Sequence, residues 1–199
     1  MKLQNFLKLL AAIFISLLAG AIGSLFTIPA ISTWYATLAK PAFNPPNWVF
    51  APVWTLLFIL MGVSAFLIWR EGLNNKNVRT ALVLFIFQLI ANIFWPMIFF
   101  GIHNTGLAFI EIISLWCAIL ATILAFYEIS RISAYLLIPY IIWVTFAGFL
   151  NYSIWRLEVN VANVPEAVAC TQEAKICPDG SVVGRSGSNC EFTACPPGK

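Results

Sequence analysis

The chain has 199 residues, 61% hydrophobic and 10% charged, with a net charge of +3 and a mean hydropathy of +0.88. Soluble domains carry charge on about a quarter of their residues, so this composition excludes a cytosolic enzyme, a nucleic-acid-binding protein and a disordered chain. The apolar residues come in long unbroken runs rather than in alternation, which makes the chain a helical membrane protein and not a barrel.

A hydrocarbon core about 30 Å thick is crossed by about 20 apolar helical residues. Five runs meet that test: 9–28, closed by Pro29; 48–69, closed by Arg70-Glu71; 80–102; 105–127; and 133–155. The fold expected is an all-α bundle of five transmembrane helices over residues 1–157, followed by a small disulfide-rich tail over 158–199. The first run exceeds the about 7–15 apolar residues of a signal peptide and reads as a retained helix. The 29–47 segment, with Pro29, Pro41, Pro45, Pro46 and Trp34-Tyr35, is too short to span and reads as a structured loop over one end of the bundle. The links at 102–105 and 128–132 are short enough to join spans three, four and five as antiparallel hairpins. In the third span Pro96 lacks the amide that would bond the carbonyl of Asn92, so a bend is expected there.

Basic residues set the orientation. Lys2, Lys8, Arg70, Lys76, Arg79 and Arg131 fall on the amino-terminal side, and Lys40 and Arg156 on the other. The amino terminus is expected in the cytoplasm, with the 29–47 loop and the carboxyl terminus outside. After Arg156 the sequence turns polar and rich in Gly and Pro. Cys170, Cys177, Cys190 and Cys195 lie there without a His and without the tight pairs of a zinc site. They point to two disulfides in an oxidising compartment, in any of three connectivities. Cys117, in span four, reads as a packed free thiol.

No catalytic constellation is present. The single His, His103, reads as a turn residue. Glu111 lies about 10 Å of helix rise into span four and reads as a buried polar anchor, a functional role being the alternative. Gln88, Asn92, Trp95 and Phe99 share one face of span three. Tyr140, Trp143, Phe146, Ala147 and Asn151 form a similar series in span five, and Trp54, Phe58 and Met61 one in span two. Such residues either hydrogen-bond helices together or line an aromatic cavity for a flat hydrophobic ligand. Ala19-x-x-x-Gly23 and Gly20-x-x-x-Ser24 in span one allow close helix approach, within the bundle or between protomers of a homodimer.

Four segments in fixed order sharpen this reading: Trp34-Tyr35, Leu38, Lys40-Pro41 and Asn44-Pro45-Pro46; Phe50-Ala51-Pro52-Val53-Trp54-Thr55; Gln88, Asn92, Trp95 and Phe99-Phe100; and Pro139-Tyr140, Trp143, Phe146, Leu150-Asn151 and Ile154-Trp155. Over residues 5–157 the chain resembles the tryptophan-rich sensory protein family, also called the translocator protein or peripheral benzodiazepine receptor family. The resemblance implies a pocket open toward the 29–47 loop and a membrane receptor for tetrapyrroles, protoporphyrin IX or haem-like, with no cofactor required. Eukaryotic members also bind cholesterol and benzodiazepine-type ligands. The resemblance makes Trp54 and Trp143 pocket tryptophans, with Asn92, Trp95 and Asn151 beside them. Trp34, Phe58, Gln88, Phe146 and Ala147 complete the expected ligand-binding set. The partners implied are a flat hydrophobic ligand and the lipid bilayer, and the location a bacterial inner membrane. Light-dependent porphyrin breakdown at Trp54 and Trp143, as associated with some bacterial members, is the alternative activity, and a purely structural membrane protein the third. Phe43 stands where many members carry Trp. The run from Leu150 through Tyr152 to Arg156 fits a loose cholesterol pattern of low specificity. The Cys-rich tail lies outside the family core and would act as a lid, a partner-binding knob or a passive cap.

Overall fold

A computed structural model of the chain describes residues 3–162, 170–186 and 189–196. It holds two compact units, Met1–Val159 and Asn160–Lys199. The first is built from α1 (Leu3–Ile31), α2 (Trp34–Thr37), α3 (Asn47–Trp69), α4 (Lys76–Pro96), a π-helical turn (Met97–Gly101), α5 (Thr105–Tyr127), α6 (Arg131–Leu136) and α7 (Ile138–Ala162). Five helical stretches are long and apolar enough to cross a membrane: Leu3–Ile31, Asn47–Trp69, Lys76–Gly101, Thr105–Tyr127 and Arg131–Asn160. The chain is an all-α membrane bundle of five spans with a small disulfide-bonded sheet near its carboxyl terminus.

Side-chain caps set several helix starts. Asn75 accepts from the Asn77 amide at 2.9 Å before α4, Asn104 from the Leu107 amide at 2.8 Å before α5, and Ser130 from the Ser133 amide at 3.4 Å before α6. Prolines act differently from expectation at three places. Pro29 does not stop α1, which runs on to Ile31. So near a helix end a proline removes a single intrahelical bond, and the Thr33 hydroxyl donates to the Pro29 carbonyl at 2.8 Å. Pro96 ends the α-helical register, and the span continues as the π turn, with the Ile102 amide bonding the Met97 carbonyl at 2.9 Å. The fifth span is not one helix from 133 to 155. It breaks at Leu137 between α6 and α7, where Pro139 cannot donate to the Tyr135 carbonyl and its ring crowds that carbonyl.

Core packing is tightest near the basic end. Met61, Ile68, Val78, Ala81, Ile119 and Phe126 are fully buried, and the hydroxyls of Ser64 and Ser133 each donate to the other residue's carbonyl, at 2.8 and 2.7 Å. At this end the Lys8 ammonium lies 5.6 Å from the Trp69 ring centre, joining the start of α1 to the end of α3. Lys2 lies outside the described residues. The closest helix approach is at Gly62, where a Cβ would stand 2.5 Å from the Cα of Ile13 and 2.8 Å from its nitrogen. The small-residue stripe of α1 is used inside the bundle: Ala19 and Gly23 are buried, and a Cβ on Gly23 would meet Pro96 at 3.0 Å.

At the other end the 31–47 segment folds over the bundle. Tyr35 is buried against Phe99 and Phe100, and its hydroxyl donates to Asn44 Oδ1 at 2.8 Å. Burial pushes the Tyr35 phenol above its ordinary value. The folded loop therefore favours the neutral phenol. That contribution is whole below pH 10.0, the ordinary value, and is lost as pH rises through the raised one. Tyr35→Phe should cost about 1 kcal/mol of stability and reduce the alkaline sensitivity, readable by thermal unfolding at pH 8 and above pH 10.

In the second unit, β1 (Ala174–Ile176), β2 (Val182–Ser186) and β3 (Glu191–Phe192) form an antiparallel sheet in that order. The disulfides are Cys170–Cys190 and Cys177–Cys195, which selects one of three pairings. Cys117 is free but not packed: it lies exposed on the outer face of α5, where lipid chains run. A thiol reagent that partitions into the bilayer should modify Cys117 alone before reduction, and the four tail cysteines only afterwards. Labelling of Cys177 without reductant would contradict the pairing.

Candidate functional site

The 31–47 loop and the adjacent halves of α1, α3, α4, α5 and α7 enclose a cavity of about 460 Å³, inside the size range of small-molecule sites. Its space originates in the sequence of α1. Leu17, Gly20, Ser24, Thr27 and Ile31 repeat at helical spacing along one wall. Gly20 leaves room for the Phe58 ring, which a Cβ there would strike.

The opposite wall is aromatic. Trp54 stacks on Phe58 with centroids 5.6 Å apart and meets Tyr140 edge-on at 6.3 Å. Trp143 meets Phe50 edge-on at 5.9 Å. Trp95 stacks on Phe99 at 5.1 Å, and Phe99 and Phe100, both on the π turn, line the same space. Pro96 and the wide turn after it thus place two rings at the wall.

The polar groups at this wall are largely bonded to one another. Asn92 Nδ2 donates to the Tyr140 hydroxyl at 2.8 Å, and that hydroxyl donates to Gln88 Oε1 at 2.9 Å. Trp95 Nε1 donates to Asn151 Oδ1 at 3.0 Å, while Asn151 Nδ2 donates to the Thr105 carbonyl at 2.8 Å. The Thr105 hydroxyl in turn donates to Glu158. These bonds tie α4, α5 and α7 together, so the amides serve as helix connectors and as wall at once. Trp143 Nε1 is buried without a partner among the described residues. The arrangement is an apolar, aromatic slot, which suits stacking and apolar burial, and no paired acid and base lines it among the described residues.

The TspO/MBR family profile matches residues 12–156. The chain belongs to the TspO/MBR family. It is 40% identical to the tryptophan-rich protein TspO of Chlorobaculum tepidum over 155 residues, covering 78% of this chain and 98% of that one. It is 42% identical to the tryptophan-rich protein TspO of Archaeoglobus fulgidus over 156 residues, 78% of this chain and 99% of that one. It is 41% identical to the human translocator protein over 137 residues, 68% of this chain and 80% of that one. The matched region of this TspO/MBR chain holds all of the cavity walls and stops short of the disulfide-bonded unit.

The cavity brings together Trp54, Phe58, Asn92, Trp95, Trp143, Ala147 and Asn151 of the residues expected to bind ligand. It leaves three aside. Trp34 stacks on His103 at 4.3 Å and packs on Phe99 behind the wall. Gln88 is buried below the cavity against Tyr140. Phe146 packs between Trp143 and Phe43. Glu111 is not on the wall either, although its neighbour Ile112 is. One of its oxygens is buried without a partner among the described residues, and Tyr140 is within its electrostatic reach. Sequence reasoning missed the α1 wall and Tyr35. The signal for the former was there, in small and hydroxyl residues at helical spacing, but it read as a packing stripe. Trp95→Phe should destabilise the bundle by about 1–3 kcal/mol, because it leaves the buried Asn151 oxygen unpaired; unchanged thermal unfolding would show that the bond contributes nothing.

Proposed function

We propose that the chain is a membrane receptor or sensor that binds a flat tetrapyrrole, protoporphyrin IX or a haem-like relative, in the cavity under the 31–47 loop. The observation that carries this reading is the wall itself: the rings of Trp54, Trp95, Trp143, Phe58 and Phe99 around an apolar space of about 460 Å³, with Asn92 and Asn151 bonded to protein groups. The names of the relatives, translocator protein and tryptophan-rich protein, are in keeping with a binding or transport role rather than an enzymatic one. Lys8, Arg70, Lys76, Arg79 and Arg131 gather at the end away from this loop, which supports an amino terminus in the cytoplasm and a loop outside. Two disulfides on the carboxyl-terminal side of the fifth span accord with an extracytoplasmic, oxidising location.

The test is a titration of the protein in lipid nanodiscs with protoporphyrin IX, in the dark and under illumination. Saturable quenching of tryptophan fluorescence is expected. Absence of quenching would remove the tetrapyrrole reading. Bleaching of bound porphyrin under light, with none in protein-free nanodiscs, would assign the photodegradation alternative, for which Trp54 and Trp143 are the electron donors at hand.

A further inference from the structure

The sheet of the carboxyl-terminal unit has two unlike faces. Ala174 pairs with Gly184 and Ile176 with Val182, so these four residues share one face. All four are exposed, Ile176 at 73% and Val182 at 63%. The opposite face carries Lys175, Val183 and Arg185. Arg185 is paired there with Glu173 at 2.8 Å and sits 4.3 Å from the Phe192 ring centre. A one-sided antiparallel sheet ordinarily packs its apolar face and turns its polar face to water; here the unit packs on its charged side. Among the described residues, charge reaches the apolar face at its far end, where Glu191 stands opposite Ser186. Asp179, in the β1–β2 turn, has its carboxylate bonded by the amide and hydroxyl of Ser181 at 3.0 and 2.7 Å.

We propose that this face, through Ile176 and Val182, rests on the lipid surface of the membrane that holds the bundle. Residues 163–169 separate the end of α7 from Cys170, a link that reaches at most about 28 Å. The bilayer surface is therefore always within range, at a high effective concentration. Apolar side chains toward lipid and charges toward water is the pattern of interfacial elements. A second protein is the poorer occupant, since two exposed side chains fall far short of the roughly 1,200 Å² that a stable protein interface buries. The contact is driven by apolar burial, so it persists at high salt.

The test uses the full-length, unreduced protein in nanodiscs with a diazirine-bearing residue in place of Val182 or, separately, Lys175. Lipid adducts at position 182 should exceed those at 175 by about fivefold or more, and Ile176→Ser should lower the yield at 182 by a similar factor. Equal lipid yields at the two positions, or products at 182 dominated by water or by a peptide of this or another chain, would overturn the proposal.

Discussion

Replacing Trp143 with Phe should weaken porphyrin binding by about twofold to tenfold, the equivalent of one aromatic contact at 0.5–1.5 kcal/mol, while leaving the bundle folded. The indole Nε1 has no partner among the described residues, so its removal breaks no hydrogen bond, and the Phe ring still meets Phe50 and Phe146. Trp54→Phe should behave likewise, because its contacts to Phe58 and Tyr140 are ring contacts. Photobleaching separates the two readings of the site. If the indoles of Trp54 and Trp143 donate electrons to an excited porphyrin, the double variant should bleach it far more slowly than the native protein, because phenyl is a far poorer donor than indole, and any remaining bleaching should vanish when Trp95 on the same wall is also replaced. Bleaching and affinity falling in the same proportion would mean that the rings only pack the ligand. No change in either would place the ligand outside this cavity.

Gly62→Ala should be the most damaging single methyl in the bundle. The new carbon would stand 2.5 Å from one backbone atom of α1 and 2.8 Å from another, and backbone cannot rotate aside as a side chain can. The two helices must separate, at an expected cost of about 1–3 kcal/mol, more for Val. Thermal unfolding in detergent would read the loss. Binding should report it as well, since the same α1 carries the Leu17, Gly20 and Ser24 wall. A variant with unchanged unfolding temperature would show that α1 and α3 are looser than the structure has them.

Much of this architecture was legible because a bilayer imposes coarse rules. Runs of apolar residues located the five spans, whereas the caps at Asn104 and Ser130 were not read from the sequence. The prolines were harder. Pro29, Pro96 and Pro139 each remove one amide, yet the first is absorbed by a helix end, the second by a π turn and the third by a break. What decides between these outcomes is where each proline falls in its helix and what packs around it, and the second is a tertiary fact. In the site, the aromatic residues of α3, α4 and α7 were visible as stripes. Trp34 and Phe146 carry the same chemistry and yet point to His103 and Phe43, because one-dimensional spacing gives a face without its neighbours. Disulfide pairing was undetermined for the same reason: the spacing of four cysteines does not say which strands adjoin.

The mutual bonding of Asn92, Tyr140 and Gln88, and of Trp95, Asn151 and Thr105, bears on discrimination among ligands. A site rejects close analogues steeply when a mismatch strands one of its own buried polar groups, whereas apolar contact separates them by little more than an order of magnitude or two. Here Asn92 donates to the Tyr140 hydroxyl, and Asn151 accepts from Trp95 and donates to the Thr105 carbonyl, so a ligand that leaves these bonds in place strands neither amide. Selectivity should then follow outline and thickness rather than substituents, so that tetrapyrroles differing at their rims compete on nearly equal terms.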